Sequence, residues 1–194
     1  MPPLSPVVCC LDAVTNGEDR VEGYALYPPT YRDDARSEGR WLQILFLMSD
    51  SDMFEKILVV CVGNICRSPT GERLLRERLP GRQVSSAGVS ALVDKPADKV
   101  ASEVAQQHGL SLEGHSARQL TRELCQDADL ILVMEKGHIS AVTAIDPGAR
   151  GKTMLFGHWQ GESEVPDPYR LSREAYEHVY QLLVRSADGW AKKL

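Results

Sequence analysis

The chain has 194 residues, 43% of them hydrophobic, enough for one α/β domain with its own core. Its formal charge of −5 is uneven: residues 1–52 hold nine acidic and four basic residues, and the acids and bases of residues 53–194 balance. Neither part is basic enough for a nucleic-acid footprint, no apolar run reaches the ~18–20 residues of a membrane helix, and no charged start leads into a signal-like apolar segment.

Residues 1–52 read as loop, with Pro2, Pro3, Pro6, Pro28 and Pro29 and no sustained period of 2 or 3.6. Their one apolar run, 41–48, is short. Either they form a disordered arm, or the start is mis-assigned and Met53 is the initiator; the second reading is preferred, with the domain spanning residues 53–194. Five cysteines (Cys9, Cys10, Cys61, Cys66 and Cys125) make an odd number without disulfide-framework or zinc spacing. That pattern fits a reducing cytoplasm, where a reactive thiol survives, and no metal or other cofactor is expected.

The run Ile57-Leu58-Val59-Val60 predicts a strand over 56–61, apolar without alternation and so buried on both faces. Leu74, Leu75 and Leu79 predict a helix over 69–79, stopped by Pro80-Gly81. A short strand follows at 83–86. Val100, Ala101 and Val104 share a face of a helix over 97–108 that ends at Gly109. A second buried strand is expected at 129–134, a short helix near 137–144, a last strand at 153–156 and a helix over 172–190. In that helix Tyr176, Val179, Tyr180 and Leu183 recur at helical spacing. Strands alternating with helices predict a doubly wound parallel sheet, with ligands at the carboxyl ends of the strands.

Cys61 stands at such an end. Residues 61–69 read Cys-Val-Gly-Asn-Ile-Cys-Arg-Ser-Pro, a cysteine, five residues and then Arg-Ser. Five residues suffice for the chain to wrap a tetrahedral oxyanion with its backbone amides turned inward. Gly63 is expected to take the backbone conformation that such a turn opens mainly to glycine. Ser68-Pro69 is read as the start of the helix, whose N-terminus then also faces the anion. Arg67 supplies a planar fork for two oxygens at once. A thiol among these donors has the electropositive surroundings that make cysteine a nucleophile. The glycine-rich loop of nucleoside triphosphate binding, Gly-x4-Gly-Lys-Ser/Thr, does not occur.

Val60 to Pro69, together with Asp167-Pro168-Tyr169, resembles the low-molecular-weight protein tyrosine phosphatases. Ser86-Ala87-Gly88, residues 114–119 and residues 129–134 add to the likeness, which covers about 54–194 and is nearest to the bacterial branch serving exopolysaccharide and capsule export. The classical phosphatases place His before the nucleophile and Gly three residues after it, where this chain has Val60 and Asn64. The resemblance implies four strands in the order 2-1-3-4 and hydrolysis of phosphotyrosine through a phosphocysteine. The implied partner is the tyrosine-rich tail of a membrane-associated tyrosine kinase, met by a cytoplasmic and monomeric enzyme with no membrane insertion of its own.

It also implies the roles. Cys61 is nucleophile and Arg67 binds the phosphoryl group, with Val62, Gly63, Asn64, Ile65, Cys66 and Ser68 around the substrate. Asp167, between two prolines, gives a proton to the leaving oxygen and then takes one from the attacking water. Ser68 hydrogen-bonds the thiolate, the side chain of Asn64 holds the loop's backbone, and His115 buttresses that asparagine from behind. Cys66 is a candidate resolving thiol for oxidised Cys61. Leu92 and Tyr169 are expected to wall the cleft, with Arg170 where animal enzymes have a second aromatic. Three alternatives stay open. An arsenate reductase of the same fold needs two more cysteines, and only Cys125 is placed for one. The protein-arginine phosphatases resemble this chain with Thr at the position of Ile65. A dead phosphopeptide-binding module would have lost Cys61, Arg67, Ser68 or Asp167.

Overall fold

The apolar run after Lys56 forms β1 (Lys56–Cys61), one of the two inner strands of a four-stranded sheet. The computed structural model describes residues 54–161 and 163–194, so the expectations for residues 1–52 lie outside the described residues. β1 pairs in parallel with β2 (Gln83–Gly88) and β3 (Leu130–Val133), and β3 pairs in parallel with β4 (Thr153–Leu155). The order is 2-1-3-4, as the resemblance implied. Among the described residues the α-helices are α1 (Arg67–Arg78), α2 (Lys99–Gln107), α3 (Arg122–Asp127), α4 (Lys136–Ile145) and α5 (Arg173–Ala191).

β1 feeds two cores because alternate residues face opposite sides of a sheet. Ile57, Val59 and Cys61 join Leu74 and Leu75 of α1, Val104 of α2, and Tyr176, Val179, Tyr180 and Leu183 of α5. Leu58 and Val60 join Cys125 of α3 and Val142 of α4 on the other side. Both faces are covered, which is why the strand reads as unbroken hydrocarbon.

Three local expectations change. α1 begins at Arg67 rather than at residue 69. The first turn's amides have no intrahelical acceptor, so Pro69 is tolerated within it and marks no boundary. The left-handed residue of the loop is Asn64, at φ 56°, and not Gly63. Helix α3 was not expected; six residues are too few for a periodic signal, and Thr121 caps it by accepting from Leu124 N.

β2 ends against the loop. A Cβ on Gly88 would lie 2.4 Å from Val62 O and 3.0 Å from Asn64 N, both backbone atoms. Gly88→Ala is therefore expected to cost about 1–3 kcal/mol and to displace the loop, lowering kcat/KM as well as the melting temperature. Unchanged values of both would contradict this close approach.

Candidate active site

The loop after β1 is tied down on its outer side. Val89, Ser90 and Leu92 donate their amides to the carbonyls of Cys61, Val62 and Gly63, each at 3.0 Å, and Asp98 N reaches Ile65 O at 2.8 Å. His115 Nε2 donates to Asn64 O at 2.7 Å, and Thr70 Oγ1 to Cys66 O at 2.9 Å. Every carbonyl from Cys61 to Cys66 is thus held outward. A peptide whose carbonyl points out turns its amide the other way, and the amide of Asn64 reaches Cys61 Sγ at 3.3 Å.

Asn64 is the keystone beneath. It is fully buried, with Oδ1 accepting from Arg118 N at 2.9 Å. Its Nδ2 donates to Ser68 Oγ and Ser86 Oγ, both at 2.9 Å. Ser86 Oγ in turn donates to Glu72, itself paired with Arg76. These bonds hold an asparagine in the left-handed region, which it tolerates better than most residues. Ser68, at the second position of α1, caps nothing: its Oγ stands 2.9 Å from Cys61 Sγ. Asn64 and Ser68, expected around the substrate, lie under the loop and outside the cleft lining.

Arg67 is 1% exposed, yet it lines the cleft. Nη1 pairs with Glu135 and donates to Val165 O at 2.8 Å; Nη2 lies 2.8 Å from Asp167 Oδ2. Nε is buried without a partner among the described residues. A buried donor left unpaired is costly, so this N–H is a standing attraction for an anion. His138 Nε2 stands 3.8 Å from the same Glu135 oxygen, and burial holds its imidazole below the usual range. Glu135 follows β3 at its carboxyl end, the one signal by which the sequence could have offered it as a partner for Arg67.

The cleft has a volume of about 160 Å³ and gathers Cys61, Val62, Gly63, Ile65, Cys66, Arg67, Leu92, Asp167 and Tyr169, all expected at the site. Ser90 joins them and was missed. Val62, Leu92 and Tyr169 are exposed at 37%, 45% and 40%, apolar surface left open at the mouth. Cys66 borders the cleft but is buried, and burial pushes its thiol well above the usual cysteine range. The arrangement offers a sulfur nucleophile, a cationic fork and a carboxyl group around a space for one tetrahedral oxyanion.

The model of the family described as "Low molecular weight phosphotyrosine protein phosphatase" matches residues 56–194. The chain is 62% identical over 141 residues to the low molecular weight protein-tyrosine-phosphatase Etp of Escherichia coli K12, covering 73% of this chain and 95% of that protein. It is 61% identical over 142 residues to Wzb of Salmonella typhimurium, again covering 73% and 95%. Vibrio vulnificus Wzb in complex with benzylphosphonate superposes with a TM-score of 0.72 at 59% identity, over 73% of this chain and 99% of that one. By these matches and by its fold, the chain belongs to the low molecular weight phosphotyrosine protein phosphatase family.

Proposed function

We propose that the protein hydrolyses phosphotyrosine in proteins, with Cys61 as nucleophile, Arg67 as phosphoryl anchor and Asp167 as acid and base. The observation that carries the reading is one cleft lined by Cys61, Arg67 and Asp167, with Arg67 Nε left without a partner among the described residues. Sγ attacks phosphorus, the ester P–O bond breaks, and Asp167 delivers its proton to the departing phenolic oxygen. The loop amides and Arg67 meet the charge on the equatorial oxygens. Water then attacks the phosphocysteine, Asp167 takes its proton, and the S–P bond breaks to return a thiolate that Ser68 Oγ receives at 2.9 Å. Ile65 adds hydrocarbon to the cleft wall, and Leu92 and Tyr169 make a slot suited to an aromatic ring. The benzylphosphonate bound by the Vibrio vulnificus relative is an anion of that shape.

The finer reading rests on the likeness to the exopolysaccharide and capsule branch. The substrate is the tyrosine-rich tail of a membrane-associated tyrosine kinase, and the enzyme is a cytoplasmic monomer. Among the described residues no helix is long and apolar enough to cross a membrane. Purified protein is expected to release phosphate from p-nitrophenyl phosphate and phosphotyrosine peptides without added metal, and to leave phosphoarginine peptides nearly untouched. Preference for phosphoarginine, or strict dependence on a divalent cation, would overturn the assignment.

Cys66 is proposed as the resolving thiol. Peroxide converts the Cys61 thiolate to a sulfenic acid; Cys66 attacks that sulfur, forming the disulfide and releasing water. Burial suppresses ionisation of this thiol, so the capture is slow at neutral pH and quickens as rising pH increases the thiolate fraction. Peptide mapping of the oxidised protein is expected to find a Cys61–Cys66 disulfide, and Cys66→Ala to lose recovery by reductant. Unchanged recovery in that variant removes the role.

A further inference from the structure

Among the described residues, three other than glycine have left-handed backbones: Asn64, Asp94 and Arg170. Asn64 is in the anion loop, Asp94 stands two residues after the Leu92 wall, and Arg170 directly follows the Tyr169 wall. Asn and Asp adopt this region at modest cost through their short polar side chains; an arginine has no such help. Arg170, at φ 62°, occupies the third position of a turn closed by Leu171 N donating to Pro168 O at 2.9 Å. Glycine is the residue that such a turn prefers there. Strain of this kind, on the order of 1–3 kcal/mol, clusters at sites where the strained side chain has work to do.

The side chain is placed accordingly. The guanidinium carbon of Arg170 lies 5.2 Å from the centroid of the Tyr169 ring, a cation–π stack. Arg170 does not line the cleft, so it covers Tyr169 from outside and leaves the ring free to wall the slot. Its charge is uncommitted, since no carboxylate among the described residues pairs with it. Of the neighbouring charges, Asp167 pairs with Arg67 and Asp98 caps α2, while the adjacent Asp94 and Lys95 are both exposed and opposite in sign.

We infer that Arg170 is a specificity-determining residue that recognises an anionic side chain next to the phosphotyrosine of the substrate. The inference rests on the phosphotyrosine reading of the cleft. An extended peptide advances about 3.3 Å per residue, so a cation 5.2 Å from the Tyr169 ring meets a neighbour about one or two positions from the residue held against that ring. The ligand chemistry is a carboxylate or a second phosphoryl group, and the stack on Tyr169 pre-orders the arginine that receives it.

The test uses three phosphotyrosine peptides that differ at one adjacent position, carrying Gln, Glu or phosphoserine, with loss of the phosphotyrosine phosphate followed by mass. The Glu peptide is expected to exceed the Gln peptide in kcat/KM by roughly threefold to fivefold at low ionic strength, the range of an exposed charge pair, and the phosphoserine peptide by more. A phosphoserine gain without a Glu gain would assign the site to phosphoryl groups alone. Arg170→Gln should bring the three together, and Arg170→Lys should keep part of the discrimination. Should a variant fold poorly, the wild type still decides, because its preference must fade as salt rises. Equal rates on all three peptides, or a preference that survives in Arg170→Gln, would overturn the proposal. A wild type that cleaves none of them overturns the phosphatase reading first, and this inference with it.

Discussion

Cys61→Ser is expected to lower turnover on phosphotyrosine by about 10⁴–10⁶-fold, the scale of loss when a covalent nucleophile is removed. An alcohol is a far weaker nucleophile than a thiolate at neutral pH, and no other residue in the cleft offers an activated one. The change is nearly isosteric, and the anion-binding parts lie elsewhere: Arg67 and the loop amides, held by the outward ties of the loop carbonyls. Inorganic phosphate should therefore still raise the melting temperature of the variant, as any ligand selective for the folded state does. Loss of phosphate binding together with activity would mean that the substitution collapsed the loop and tested the fold instead of the nucleophile.

Asp167→Asn is expected to cost about 10²–10⁴-fold on phenyl-phosphate-like esters, the usual contribution of a positioned acid. The loss should shrink steadily as the leaving phenol becomes more acidic and needs its proton less. Asp167 has a second task in the structure, since its Oδ2 lies 2.8 Å from Arg67 Nη2. If that ion pair were its whole contribution, the loss would be the same for every leaving group and would appear largely in KM. A slope of rate against leaving-group acidity that is steeper in the variant than in the wild type separates proton delivery from positioning. The expectation is a steep slope.

The sequence carried the strand, the loop and the wall residues because each is a local signal. An apolar run, a nine-residue motif and a proline-bracketed aspartate can be read without knowing what packs against them. What stayed hidden is what arrives from elsewhere in the chain. Glu135 reaches Arg67 from 68 positions away, and Ser86 and Arg118 reach Asn64 from 22 and 54. Such contacts are set by parallel pairing of β1 with β2 and β3, which no short window of sequence encodes. The same holds for the loop's glycine. Gly63 was expected to bear the turn's unusual backbone, but the buried partners of Asn64 let a non-glycine residue hold it, and the glycine that the loop requires is Gly88 on the neighbouring strand.

On this mechanism the phosphoryl group passes through the sulfur of Cys61. Rapid mixing with a phenyl phosphate at low pH, quenched in acid within the first turnovers and followed by peptide mass mapping, tests it most directly. The account predicts one added phosphoryl group on the peptide containing Cys61, lost when the enzyme is allowed to exhaust its substrate, and absent from Cys61→Ser. Turnover with no phosphoryl group on Cys61 at any time, or with it on another residue, would contradict the account.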